Sequence, residues 1–176
     1  GNKYLRLSKT ASEKIYSTTA SKRYAVEFSY RVGAITADTA VTVENSVLNL
    51  TTADFTKSWK KHYMVVTAES DALTISVNGN DNFVLDIDNV IVYEITEKMS
   101  VITFDQKDGY GADTVRVGVT GVEIMLPEVS GVSGYSFYGW YTDSTLKTPF
   151  VSKVYPEGDI TLYGRWATNP KASFIF

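Results

Sequence analysis

Apolar and polar residues alternate with a period of two along most of this chain, and a period near 3.6 is nowhere sustained. The clearest run is 24–32, where Tyr24, Val26, Phe28, Tyr30 and Val32 fall on one side and Glu27, Ser29 and Arg31 on the other. Alternate side chains of a strand point to opposite faces, so this run predicts a strand with one face in a core. Shorter runs of the same kind stand at 4–7, 14–17, 40–44, 46–50, 59–67 and 73–77. A turn is expected at Asn45-Ser46, and Asn78-Gly79 carries a hairpin signal, with a loop that extends as far as Asn82. The strand 83–95 keeps one parity through Phe83, Leu85 and Ile87, and then Asp88-Asn89 is followed by the unbroken apolar run Val90-Ile91-Val92-Tyr93. That change of phase predicts either a bulge at Asp88-Asn89 or a strand buried on both faces. At 51–57 there is room for one helical turn at most. Short strands without a helical period predict an all-β sandwich over residues 1–96.

After a polar link at 97–100 the pattern changes character. Aromatics and glycines interleave in Gly134-Tyr135-Ser136-Phe137-Tyr138-Gly139-Trp140-Tyr141, answered by Ile160-Thr161-Leu162-Tyr163-Gly164-Arg165-Trp166. Strict alternation places Phe137, Gly139 and Tyr141 on one face and Ser136, Tyr138 and Trp140 on the other. In the second strand, Ile160, Leu162, Gly164 and Trp166 share a face. A glycine flanked by large aromatics lets a ring lie across bare backbone, which provides a small sheet with a core from few residues. The link is short, so the two domains are expected to touch rather than swing freely.

The order G-Y-x-F-x-G-W-Y-x-D, then D-I-T-L-Y-x-x-W, resembles the Listeria–Bacteroides (internalin B-type) repeat of Gram-positive surface proteins. The opening strand of that repeat matches Val101-Ile102-Thr103-Phe104-Asp105, with Gly109 and Gly111 following. The middle of the repeat matches the run Val122-Glu123-Ile124-Met125-Leu126-Pro127. The resemblance implies a small, mainly β, β-grasp-like repeat domain over 101–167, with 168–176 as a tail. It implies an extracellular or cell-surface location and no catalysis, and it makes Trp140 and Trp166 framework aromatics. The tail 171–176 is apolar for a chain end. It reads as a last strand on an open edge or the start of a continuing connection.

The first ninety-six residues resemble, through other motifs, the jelly-roll carbohydrate-binding modules of the family 4/9/22 type. These motifs are an L-x-L strand, Y-x-V-x-F-x-Y-R, W-K-x-x-x-x-x-V-T-A, L-x-I-x-V and the signature Ile87-Asp88-Asn89-Val90. The N-x-x-F-E opening and the early Trp of those modules are absent, so the module reads as clipped or divergent at its N-terminus. The chain starts Gly1-Asn2-Lys3 without a methionine or signal-peptide pattern, and is expected to be a processed or excised piece.

Composition narrows the partners. The chain has 176 residues, 44% of them hydrophobic, which is ample for folded cores. A formal charge of −3 offers no basic field for nucleic acid. No stretch approaches the roughly 20 apolar residues of a membrane-spanning helix. The absence of cysteine removes disulfides, thiol chemistry and cysteine-ligated metals. His62 is the single histidine and is expected to be exposed on a strand.

Asp86 and Asp88, two apart, would share one face of a regular strand. A glycosidase sets its two carboxylates across the scissile bond, usually on separate strands, which this spacing does not provide. Hard oxygen ligands suit calcium, and the resembled modules hold a structural calcium near this strand, so Asp88 with Asp86 is the candidate metal site. The competing expectation is an exposed Asp86, with Asp88 and Asn89 bonding turn amides. For a glycan, stacking aromatics are the usual platform, and the candidates are Tyr16, Tyr30, Trp59 and Tyr63. Tyr24 and Phe28 are expected in the core. In the resembled modules the Trp matching Trp59 serves mainly for packing. The expected function is that of a non-catalytic, monomeric module of an exported bacterial surface protein. Its partner would be a polysaccharide or a host or cell-wall glycan. The alternative is a structural stalk or spacer of a larger cell-surface protein or secreted glycoside hydrolase.

Overall fold

The computed structural model describes residues 4–107, 114–127, 129 and 131–169. Gly1, Asn2, Lys3, Gly109, Tyr110, Gly111 and the tail from residue 170 onward therefore lie outside the described residues. The chain divides into two compact units, Gly1–Thr96 and Glu97–Phe176.

The first unit consists of β1 (Leu5–Ser8), β2 (Thr10–Ser17), β3 (Arg23–Ala34), β4 (Thr39–Val43), β5 (Ser46–Leu50), β6 (Lys60–Thr67), β7 (Ala72–Asn78) and β8 (Val84–Glu94). They form two sheets, ordered β1-β8-β3-β6 and β2-β7-β4-β5, with every pairing antiparallel. This is the eight-stranded jelly-roll arrangement of an all-β sandwich. The alternation in β3 decides its orientation: Tyr24, Val26, Phe28, Tyr30 and Val32 are all buried. They meet Leu7, Leu85 and Ile87 from their own sheet and Val41, Val43, Leu50, Leu73, Ile75 and Val77 from the other. Each such side chain contributes about 1.5–3 kcal/mol by leaving water. The one helical element is a 3-10 turn at Thr52–Asp54, within the single turn expected there.

Asn78-Gly79 does not close a hairpin. β7 and β8 belong to different sheets, so the loop carries the chain from one layer to the other. Gly79 is needed there for a reason of space: a Cβ would stand 2.5 Å from the Cβ of buried Phe83. The change of phase in β8 is a bulge. Asn89 and Val90 together oppose Phe28, between the pairs Ser29↔Asp88 and Glu27↔Ile91, and Asn89 takes φ 52. The β4–β5 hairpin turns at Glu44-Asn45, one residue earlier than the pattern predicts, with Glu44 at φ 50.

In the second unit β9 (Met99–Asp105), β10 (Thr114–Val119), β11 (Tyr135–Tyr141) and β12 (Ile160–Thr168) form one mixed sheet, ordered β10-β9-β12-β11. The central pair β9 and β12 is parallel and the outer pairs are antiparallel, which is the strand order of a β-grasp sheet. There is no helix among the described residues of this unit. Its core joins Ile102, Phe104, Ile124, Trp140, Tyr155 and Leu162.

Strict alternation fails in β11. Phe137 pairs with Trp166 and Trp140 with Gly164, so Tyr138 and Gly139 both stand against Arg165. Gly139, at φ 113, makes this bulge and turns Trp140 to the same side as Phe137. The Phe137 and Trp140 rings lie 5.2 Å apart, and Trp140 also meets Phe104 at 4.9 Å. The bare backbone under these rings is Gly164, where a Cβ would come within 3.2 Å of Phe137 and 3.4 Å of Trp140. At Gly118 the Tyr155 ring occupies the space of a side chain. Trp140 is thus core, and Trp166 packs on Phe137 at 5.1 Å, in line with framework roles for both.

Candidate functional site

On the solvent face of the sheet β1-β8-β3-β6, three charged residues stand side by side on adjacent strands: Arg6 on β1, Asp86 on β8 and Arg31 on β3. Register explains the juxtaposition. Leu5 and Leu7, Leu85 and Ile87, and Tyr30 and Val32 turn inward, so the residue between each pair points outward. Asp86 is nevertheless only 1% exposed, because two guanidinium groups cover it. Arg6 donates to Oδ1 from Nε (2.6 Å) and to Oδ2 from Nη2 (3.0 Å), and Arg31 donates to Oδ2 from Nε (2.9 Å). The Arg6 hydrogen bond, followed by that of Arg31 and the charges of both, holds the Asp86 carboxyl below the usual carboxylate range against the opposing effect of burial.

Two aromatic rings complete the cluster. Tyr4 and Trp59 meet edge to face at 6.1 Å and 70°. The Arg31 guanidinium lies 4.8 Å from the Trp59 ring and 5.2 Å from that of Tyr4, and Arg6 lies 5.4 Å from Tyr4 on its own account. Arg6 Nη2 also donates to the Tyr4 hydroxyl (3.1 Å). The result is an alternating ladder, Arg6, Tyr4, Arg31, Trp59, seated on a buried carboxylate. Its rings stay open to solvent, Tyr4 at 37% and Trp59 at 40%. Arginine stacked on an aromatic face is held flat and pre-oriented, at little further cost in entropy on contact with a ligand.

The four aromatic candidates read from the sequence separate. Trp59 belongs to this ladder. Tyr63 lies half-buried on the same face of β6, opposite Glu27. Tyr30 is corrected: it is 6% exposed, its ring against Phe28 at 6.2 Å, and its face is part of the core. Tyr16 is exposed, but it sits on β2, an edge strand of the other sheet, after a bulge at Ile15, against Tyr24 at 6.1 Å. Tyr4, Arg6 and Arg31 escaped sequence reasoning. The sole signal was their shared solvent-facing parity, which does not say which outward residues meet.

Asp86 is corrected as a metal ligand and as an exposed group, because its oxygens are engaged by three guanidinium N–H groups. Asp88 turns Oδ1 onto the amide of Asn89 at the bulge (2.7 Å). Among the described residues no three His, Cys, Asp or Glu side chains gather where they could hold a metal ion. His62 is corrected too: it faces inward from β6, half-buried, with its ring 5.6 Å from Phe28, and burial pushes its pKa down.

The opposite sheet offers a contrasting surface. A groove of about 600 Å³ crosses its solvent face, lined by Thr10, Ser12, Ala40, Thr42, Ser76 and Asn78 among others. No ring lines it, and its polar groups satisfy one another: Thr10 donates to Asn78 (3.0 Å), and the Ser12 and Ser76 hydroxyls share a hydrogen bond of 2.6 Å.

In the second unit Tyr138 is 59% exposed, and Arg165 lies between Tyr138 (5.9 Å) and Tyr141 (5.7 Å) while donating to the Tyr141 hydroxyl (2.9 Å). Asp143 organises the loop after β11. It accepts from the Thr145 hydroxyl and from the amides of Thr145 (3.0 Å), Thr148 (2.7 Å) and Lys147 (3.2 Å), and these bonds, the Thr145 hydroxyl first, hold its carboxyl far below the usual range. A search of curated proteins finds no match to the chain. Residues 101–165, which run from β9 through this loop into β12, match the family model of the Listeria-Bacteroides repeat domain, a repeat of bacterial surface proteins.

Proposed function

We propose that this protein is a non-catalytic module of an exported bacterial surface protein, and that its jelly-roll unit binds a glycan on the Tyr4–Trp59 platform. The observation that carries the reading is a pair of solvent-open rings, fixed edge to face and backed by Arg31. Sugar C–H faces stack on such rings while hydroxyl groups take the polar neighbours. The alternative face, the hydroxyl-lined groove, presents no ring for stacking. The non-catalytic reading is supported by the state of Asp86, whose carboxylate is committed to two arginines. The repeat matched at 101–165 supports a place at the cell surface.

A structural stalk is the second reading, favoured by that same repeat. Titration calorimetry of the protein against neutral and acidic oligosaccharides of plant, host and cell-wall type separates the two. Saturable binding that Trp59→Ala and Tyr4→Ala each weaken about tenfold, roughly 1.4 kcal/mol per lost stacking partner, supports the glycan platform. Heat signals absent throughout the panel, with the fold intact by circular dichroism, leave the stalk.

A further inference from the structure

We infer that the glycan recognised by the Tyr4–Trp59 platform carries carboxylate groups, as uronic acid residues do; the inference rests on the glycan reading above. Donors and acceptors are unequally supplied at this surface. A neutral sugar hydroxyl both donates and accepts, so a site for neutral sugars needs acceptors such as carboxylate or amide oxygens beside its rings. This ladder presents the reverse. Asp86 is buried and receives three N–H bonds, so its acceptor capacity is directed inward. What faces solvent beside the rings is guanidinium. Arg31 uses Nε alone for Asp86, which leaves its two terminal NH₂ groups beside the rings of Tyr4 and Trp59. Arg6 uses Nε and Nη2, which leaves Nη1.

Charge points the same way. Within the ladder two guanidiniums face one carboxylate, for a surplus of one positive charge. The nearest further carboxylate on that strand, Asp88, has one oxygen turned back onto the Asn89 amide. Neighbouring charges on this sheet are largely internally paired: Lys61 with Glu27 at 2.8 Å and Lys60 with Asp54 at 3.1 Å. The planar fork of a guanidinium matches a carboxylate through two parallel hydrogen bonds, and charge assistance makes these about twice as strong as neutral ones. Arg31 is also pre-oriented by its bond to Asp86 and by its contact with both rings, which reduces the ordering needed on binding.

The test compares each acidic oligosaccharide with its own carboxyl methyl ester, which keeps the sugar and its stereochemistry and removes the charge. Oligogalacturonates, oligoalginates and hyaluronan oligomers are titrated into the full chain, as acid and as ester, in the presence of a chelator that prevents calcium bridging. At least one acid is expected to bind about tenfold or more tightly than its ester, the equivalent of losing one charge-assisted pair. Arg6→Gln is expected to bring acid and ester within about twofold, a preference of a few tenths of a kcal/mol. Trp59→Ala should weaken both forms together. Because loss of either arginine disturbs the Asp86 clamp, to which Arg6 gives two bonds and Arg31 one, Arg31→Lys serves as the second variant: it keeps the charge, loses the fork, and should lower the preference, with the melting temperature of every variant monitored in parallel. Equal affinity for acid and ester, or tighter binding of a neutral oligosaccharide, overturns this inference while leaving a glycan platform in place. Silence of every saccharide, neutral ones included, overturns the platform itself.

Discussion

Asp86 stays ionised within a sheet because three N–H bonds from Arg6 and Arg31 replace the water it loses. A buried carboxylate of this kind is weak evidence for net stability, and the two arginines left by its removal remain open to water. Asp86→Ala is therefore expected to destabilise the first unit by about 1.5–3 kcal/mol, the loss of its charge-assisted hydrogen bonds, read from denaturant unfolding. The pH dependence has a definite sign. Asp86 has a folded pKa below its unfolded one, so its contribution is complete above the unfolded carboxylate range and is lost as pH falls through the folded value. His62 acts in a higher window. Its folded pKa lies below the ordinary 6.5, so the unfolded chain takes up the proton first. Stability should decline as pH drops from 6.5 towards the folded value, and melts at pH 7.5 and 5.5 should differ less for His62→Phe than for the natural sequence. Asp143 is held so low by the Thr145 hydroxyl and then by its loop amides that mild acid should leave those hydrogen bonds in place.

At the scale of elements, bulges decide which faces the strands present. Asn89 at φ 52 resets β8, and Gly139 at φ 113 resets β11, each by one inserted residue. The first was legible in the sequence as a break of phase at polar Asp88-Asn89, which fits a bulge or a strand buried on both faces; the left-handed angle at Asn89 decides for the bulge. The second was not. Every residue from Tyr135 to Tyr141 fits a strand with aromatics on both faces, so period two reads through the bulge without a visible break. Gly139→Ala places a Cβ at a backbone angle that L residues avoid, although nothing lies within 4 Å of it. It should cost the second unit about 1–3 kcal/mol from strain alone. Asn89→Gly should stay within about 0.5 kcal/mol, since glycine adopts the same angle freely. Parallel denaturation curves of the two variants measure the contrast.

At the scale of the whole molecule, each unit has its own apolar core: the β3-centred cluster in the first, and the Phe104–Trp140–Leu162 cluster in the second. Fragments 1–96 and 97–176 should each give a dispersed amide spectrum and a cooperative melt when expressed alone. Collapse of either would mean that its core is insufficient by itself.

The residues by themselves determined the all-β class, the buried face of β3, the break of phase at Asp88-Asn89 and the repeat order placed over 101–167. These rest on local properties: period-two alternation, backbone tolerance at single positions, and a fixed order of glycines and aromatics. Tertiary structure decided what lies side by side. Strand order placed β8 between β1 and β3, and so brought Arg6 and Arg31, distant in sequence, onto Asp86. It also sent Asn78-Gly79 across the sandwich instead of into a hairpin, and set Trp59 at the surface against Tyr4. Alternation specifies in or out for each residue, but the neighbour of an outward residue depends on which strands pair and in what register, and that is set by the packing of the whole sheet.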